Sequence, residues 1–398
     1  MRVVCLGGGP AGLYFAILTK LRDPDSDVVV VERNPRGVTH GWGVVFWDDL
    51  LHSLYRTDST TAELLKANAL QWWAQEVHVG AQPPAQAGGY GFAIGRHELL
   101  TILTDRAIAL GVTVQFDRTA TTLADWSDAG LIVASDGANS PVRTQLAEHF
   151  KPQIEVGTNY YIWLGTNKTF DAFTFAFEKT PAGWLWFHGY RFNDKTSTCI
   201  VECPSSTWHE LELDRLGPDE GISVVQNIFA DKLGGHELTN KLGGASTARW
   251  LNFQRVSNHA WFHNNIVLVG DAAHTTHFSI GSGTRLAIED SIALDQAIRQ
   301  HHDLPAALRQ YQIERKAATE LRQAAADSSA KWFENINALG EQMDSDPVRF
   351  AYSLRTRKEG SPSGVSWLLH RATQYPLGRA GRRWVSTAKR KASARAAR

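Results

Sequence analysis

The stretch Val3-Val4-Cys5-Leu6-Gly7-Gly8-Gly9-Pro10-Ala11-Gly12-Leu13-Tyr14-Phe15-Ala16-Ile17-Leu18 places an apolar run, a glycine turn and a second, longer apolar run in succession. It reads as strand, tight turn and helix. A further run, Val28-Val29-Val30-Val31, ends in Glu32, which follows the last of these glycines at the distance that completes a strand–helix–strand dinucleotide unit. Gly7 permits the sharp turn, Gly9 lets the backbone approach a pyrophosphate, and Gly12 lets helix and strand pack closely. The helix N-terminus then offers free N–H groups and a positive dipole end to an anion. Glu32 would accept hydrogen bonds from adenosine ribose hydroxyls. This unit leaves open whether the dinucleotide is NAD or FAD.

The chain of 398 residues is 43% hydrophobic, enough for two to three structural units with buried cores. No stretch approaches eighteen uninterrupted apolar residues, and no signal peptide is evident, so a soluble protein of the cytoplasm, without membrane contact, is expected. Of three cysteines, Cys199 and Cys203 lie four apart in an apparent strand, a separation of roughly 13 Å that no disulfide bridges. No metal site is suggested. The net charge of zero hides an asymmetry. After Glu359 there is no acidic residue, while Arg371, Arg379, Arg382, Arg383, Lys389, Arg390, Lys391, Arg395 and Arg398 follow. That tail would suit phosphate recognition or simple solvation, and no nucleic-acid module accompanies it.

Further along, Gly37–Asp48 reads as a glycine-rich apolar loop folded over a ligand, residues 61–73 as helix, and Arg96 as a basic residue in the first turn of a helix ending at Gly111. An arginine there suits a phosphate. Gly130–Gly137 is a strand ending in Asp136-Gly137, with Ser140 and Pro141 opening a helix. Asp136 and Arg143 would meet a cofactor at the strand ends. Residues 154–203 alternate β-branched and aromatic side chains between turns, which predicts antiparallel sheet and a second domain. His188 is the polar residue that stands out in it. Ile266–Asp271 is a buried strand ending in Gly-Asp, followed by the Gly281–Gly283 turn and a helix through Ile298. Residues 304–350 are predicted as helix, with Pro347 as a stop.

Taken together, Gly7-x-Gly9-x-x-Gly12 with Glu32, Arg96, Asp136-Gly137 with Arg143, and Gly270-Asp271 with Gly281-x-Gly283 resemble the motif set of the class A flavoprotein aromatic hydroxylases, the para-hydroxybenzoate hydroxylase-like family. The resemblance implies an α/β fold. It implies a Rossmann-like FAD-binding domain over residues 1–150 and 250–300. A β-rich substrate domain is inserted at 151–249 with contributions from 60–95, and C-terminal helices and the basic tail occupy 301–398. It implies FAD as cofactor, with Gly7, Gly9, Gly12, Glu32, Arg33, Arg96, Asp136, Asp271, Gly281, Gly283 and Thr284 as the binding set. Arg96 matches the arginine near the pyrophosphate and Asp271 the aspartate on the ribityl chain. One departure is the sequence His277-Phe278-Ser279, where the family places a proline before the glycine turn.

Gly41–Val45, Tyr161–Thr166, Ser197–Cys203 and His277–Gly281 resemble a narrower branch, which includes the hydroxylases of salicylyl-CoA and aminobenzoyl-CoA and one of violacein assembly. The implied reaction is NADH- or NADPH-driven transfer of one oxygen atom of O₂ to an activated aromatic ring, such as 5-hydroxylation of salicylyl-CoA to gentisyl-CoA. A tryptophan- or indole-derived substrate is the alternative, and a non-catalytic flavin-binding redox sensor the alternative of another class. Trp42, Trp163, Trp186 and Phe278 would form a dry wall around the substrate, and His188 or His277 would polarise its hydroxyl.

Overall fold

The N-terminal apolar run becomes a central strand of a parallel sheet. Arg2–Leu6 is flanked by Asp27–Val31 and Leu131–Ala134. Thr113–Gln115 and Ile266–Leu268 lie further out, and Phe262–His263 pairs antiparallel at one edge. Val3 to Leu6 are all buried, because helices cover both faces of such a sheet and remove the polar alternation. The helix Pro10–Arg22 packs against the later helix Gly283–Gln300, where Ser291 Oγ donates to the Ala11 carbonyl at 2.8 Å. This computed structural model describes residues 1–358 apart from 121, 243–244 and 247–248, then 364–375, 378 and 381.

A second, larger sheet takes the strands Pro152–Thr166, Ser197–Cys203, Gly183–Arg191 and Phe173–Thr180 in antiparallel succession. Gln75–Val79 joins it parallel to Phe173–Thr180, a direction the wholly antiparallel expectation missed. That strand arrives from far away in the chain, so no hairpin dictates its direction. One face of the sheet, with Leu164, Phe187 and Val201, packs against Phe229 and Leu233 of the helical segment 205–233. The other, with Phe175, Phe177 and Trp186, packs against Phe333 and Phe350 from the C-terminal helices. Leu251–Asn258 runs along the N-terminal half of Pro152–Thr166, and their register shifts between Val156 and Tyr160.

Three expectations need correction. The helix expected over 61–73 spans Ser59–Asn68, and Leu70–Trp72 is a strand, because Leu70 and Trp72 follow the two-residue period of a sheet edge. A third of the expected 37–48 loop is the strand Gly43–Phe46, paired with Gly91–Gly95. The helix begun at Leu304 ends at Glu334, and Pro347 opens the helix Pro347–Thr356, whose N-terminus Asp346 caps through a 3.0 Å bond from the Arg349 amide. Proline fits a first helical turn because its missing N–H has no partner there anyway. Cys5, Cys199 and Cys203 are free and buried. Arg371 is exposed on the helix Gly364–Ala372, and the basic residues from Arg379 onward lie outside the described residues.

Candidate active site

The three glycines of the first turn answer three different demands. Gly7 sits at φ +112°, and a Cβ on it would lie 2.3 Å from the Ser135 carbonyl oxygen. One on Gly12 would meet the Gly7 oxygen at 2.2 Å, whereas around Gly9 there is open space. The turn is stitched to the neighbouring strand by Ser135 Oγ, which donates to the Leu6 and Gly7 carbonyls at 3.0 and 2.9 Å. Glu32 does more than wait for a ribose. Its Oε2 accepts the Gly8 amide at 2.8 Å, and its Oε1 accepts the Asn34 amide and side chain, so it holds the glycine turn itself. Glu32, Arg33, Arg96 and Asp136 line one cavity of about 450 Å³ together with Gly7 and Gly9.

Arg96 donates to Thr39 Oγ1 at 3.2 Å, and no described carboxylate lies within ion-pair distance of it. Burial lowers its pKa, with Asp271 and Glu32 pulling the other way. Asp136 Oδ2 accepts the Val142 amide at 3.1 Å, and burial raises its carboxyl above the ordinary range. Arg143, in contrast, is buried and donates to the Ala272 and Ala138 carbonyls, tying the Asp136 loop to the Gly270 turn rather than facing a ligand.

The third loop hangs on Asp290. Its Oδ2 accepts the Gly270 amide at 2.9 Å and His274 Nε2–H at 2.7 Å, while Arg315 Nε reaches Oδ1 at 2.8 Å. Burial pushes this carboxyl up, but His274 and Arg315 outweigh it and hold it below the usual range. Asp271 still touches solvent, yet the protein around it raises its carboxyl, opposed by His274 and Arg96. Gly281 is left-handed at φ +63°, with Val45 and Trp47 where a Cβ would stand. Gly283 opens onto free space and, with Thr284, begins the helix Gly283–Gln300, whose N-terminus has no side-chain cap.

A second cluster lies on the large sheet. Glu202 is 1% exposed, and its Oε1 accepts Asn159 Nδ2 at 2.9 Å while Oε2 accepts Trp186 Nε1 at 3.1 Å. Burial raises its pKa, and His277 works against that rise. His188 Nε2 stands 3.7 Å from Glu202 Oε2, and burial, aided by Arg357, drops its pKa to about 3. His277 falls to about 4, mainly through burial. Both imidazoles are therefore neutral near pH 7.

A hydrogen-bonded chain sets the tautomer of His277. Arg357 Nε donates to Ser329 Oγ at 2.8 Å, Ser329 and Ser279 hydroxyls meet at 2.7 Å, and Ser279 Oγ lies 2.8 Å from His277 Nδ1. The Ser279 backbone amide, which can only donate, also points at His277 Nδ1 at 3.4 Å, so Nδ1 is the accepting nitrogen. The proton of His277 then resides on Nε2, which is the ring's donor nitrogen. Neither Glu202 nor Arg357 was singled out from sequence. A lone carboxylate in the otherwise uncharged strand Ser197–Cys203 was the available signal for Glu202.

The expected aromatic wall is partly reassigned. Trp186 is fully buried, stacked on Phe333 with centroids 5.6 Å apart, and contributes only its indole N–H to Glu202. Trp42 lies where a Cβ on Gly165 would stand, and Trp163 occupies the same place over Gly41. These two tryptophans lock the 37–43 segment onto the sheet. Phe278 packs on Tyr161 at 4.7 Å and on His188 at 5.7 Å. Tyr161, Phe253, His277 and Glu202 share a cleft of about 240 Å³.

Residues 124–325 match the family described as FAD binding domain. The chain is 36% identical over 367 residues to salicyloyl-CoA 5-hydroxylase of Streptomyces sp., covering 90% of this chain and 70% of that protein. This chain belongs to the class A FAD-dependent aromatic monooxygenases. It is also 31% identical over 336 residues to 3-hydroxy-4-methyl-anthranilyl-(aryl-carrier protein) 5-monooxygenase of Streptosporangium sibiricum, covering 84% of this chain and 90% of that one. Its fold is similar to that of Pseudomonas aeruginosa PqsL in complex with 2-aminobenzoylacetate, with a TM-score of 0.66 at 18% identity over 87% of this chain and all of the other.

As a class A monooxygenase it is a single-component flavoprotein that takes FAD, NADH or NADPH, O₂ and an aromatic small molecule. The residues present fit FAD. Two helix N-termini lack side-chain caps and open onto space at Gly9 and Gly283, and Arg96 is a cation without a bonded carboxylate. Among the described residues no helix is long and apolar enough to cross a membrane, and no cluster could hold a metal ion.

Proposed function

We propose that this monooxygenase hydroxylates an aromatic ring carried as a thioester, most simply salicylyl-CoA at position 5 to give gentisyl-CoA. The observation that carries this reading is the pair of relatives, one named for an aryl-CoA and the other for an aryl group on a carrier protein. Both carriers present an acyl group on a pantetheine thioester. A cytoplasmic location, where such thioesters and reduced nicotinamides are available, suits it.

When bound and reduced by NADH or NADPH, FAD would activate O₂ so that one oxygen atom goes to the ring and the other leaves as water. Gly7, Gly9 and Gly12 would bring backbone amides to its pyrophosphate, with Arg96 beside it and Asp271 toward the ribityl chain. The amides at Gly283 and Thr284, backed by the helix dipole, would favour negative charge on the flavin ring.

The remaining work is to make the substrate ring electron-rich and to keep water away. Glu202 would accept the ring hydroxyl's proton at a carboxylate oxygen, since its raised pKa brings it toward the operating pH. His277 Nε2–H would then donate to the phenolate oxygen, held in that tautomer by Ser279, Ser329 and Arg357. Tyr161, Phe253 and Phe278 exclude water around them. The deciding experiment measures NAD(P)H oxidation and product mass with salicylyl-CoA, free salicylate and an indole acid. Oxidation stimulated by the thioester, with a product one oxygen heavier, is expected. Stimulation by the indole alone would transfer the assignment to that substrate class.

A further inference from the structure

The cleft that ends on Glu202 and His277 is separate from the cavity lined by the glycine turn, and its walls have a specific origin. One wall is the break in the Pro152–Thr166 ladder, where the register shift between Val156 and Tyr160 leaves Gly157 to Asn159 out of step with the neighbouring strand. The facing wall is one side of the helix Leu304–Glu334, where Asp327, Ala330, Lys331 and Glu334 recur at helical spacing. Ala330, in the middle of that stripe, is its smallest side chain and leaves the passage open.

Charge is sorted along the same walls. Arg255 is occupied by Asp327 at 3.0 Å and Glu155 at 3.5 Å, and Glu334 accepts the Thr158 amide at 3.0 Å. Lys331 is exposed at the mouth and, among the described residues, has no carboxylate within ion-pair distance. The inner end is apolar and aromatic, with Tyr161 and Phe253 beside the buried carboxylate. The passage thus runs from a mouth where Lys331 stands beside the paired Arg255, Asp327 and Glu155, past the out-of-register segment Gly157–Asn159, to an end walled by Tyr161 and Phe253.

We propose that this cleft is the channel for the pantetheine arm of the thioester, with the aryl ring at Tyr161, Phe253 and His277 and the phosphate end at Lys331. The assignment rests on the thioester reading above. The depth of the cleft suits the neutral arm, and the Lys331 ammonium, with no carboxylate within ion-pair distance among the described residues, suits its phosphate.

The test compares salicylyl-CoA with the N-acetylcysteamine thioester of salicylate, which keeps the ring and the thioester but has no phosphate. With FAD-loaded protein, Ala330→Phe should raise KM for salicylyl-CoA by about tenfold or more, because a ring forced into an occupied passage is strongly overpacked. Flavin absorbance and NAD(P)H oxidation without substrate should stay unchanged, which establishes that the variant is folded. Lys331→Glu should raise KM for salicylyl-CoA on the order of threefold and leave the phosphate-free thioester unaffected. An unchanged KM in Ala330→Phe, or equal effects of Lys331→Glu on both thioesters, would overturn the channel. If the unaltered enzyme accepts neither thioester but oxidises NAD(P)H with an indole, the thioester reading itself falls.

Discussion

The glycine-turn cavity and the Glu202 chamber are built on opposite principles. In the first, the polar groups offered to a ligand are mostly backbone amides, and the side chains that matter are absent ones, at Gly7, Gly9 and Gly12. In the second, every functional atom belongs to a side chain, and those side chains come from three strands, the 277–281 loop and two C-terminal helices. The first site leaves no room for a side chain at Gly7 or Gly12. The second is spacious enough to be altered, and its electrostatics depend on which groups carry protons.

That contrast can be broken most forcefully at Gly12. A Gly12→Val enzyme should emerge without FAD, because its side chain collides with the Gly7 oxygen and Ser135, and flavin absorbance after purification checks this. A yellow Gly12→Val protein would mean that the turn has more slack than its contacts imply. Glu202→Gln is the matching change in the chamber. It should keep FAD and the basal oxidation of NAD(P)H while product formation drops by about 10²–10⁴-fold, the usual worth of a positioned proton acceptor. Equal loss of flavin in both variants would dissolve the distinction between the sites.

Protonation provides a gentler test. His188 and His277 have folded pKa values near 3 and 4, below the ordinary value near 6.5, so an unfolded chain binds protons that the folded chain refuses. Their contribution to stability is therefore complete above about pH 6.5 and is lost as pH falls toward 4 and 3. Denaturant titrations at pH 7.5 and pH 5 should show this decline, and His188→Gln should reduce it; the same decline in the variant would exonerate the imidazole. The smallest effect is expected at Ser329→Ala, which interrupts the chain from Arg357 to His277. A loss of turnover of roughly tenfold, about the net worth of a hydrogen bond, with FAD content unchanged, is the expected outcome in steady-state assays.

Much of the first site could be read in advance. Gly7, Gly9, Gly12 and Glu32 are neighbours in sequence as well as in space, and the strand-end aspartates Asp136 and Asp271 follow runs whose apolar pattern betrays a buried strand. Even here Glu32 held a surprise, since its carboxylate braces the Gly8 amide. The chamber was legible only in fragments. His188 and His277 stood out, but the donor role of His277 depends on Ser329 and Arg357, residues 50 or more positions away. Trp42 and Trp163 stood within quoted motifs, while the crossing of each over the other segment's glycine, Gly165 and Gly41, did not show, because a side chain over a glycine leaves no local pattern.

The sequence by itself determined the dinucleotide unit, the alternation of parallel and antiparallel sheet, and the family motifs, since these follow from hydrophobic period and from backbone conformations that few residues adopt. Only the tertiary structure decided that Glu202 is buried beside Asn159 and Trp186, that Ser279 meets His277 at Nδ1, and that Ala330 faces the shifted ladder across the same cleft. The reason is physical: a proton's position and a cavity's shape are set by contacts among residues far apart in the chain, and no local periodicity records them.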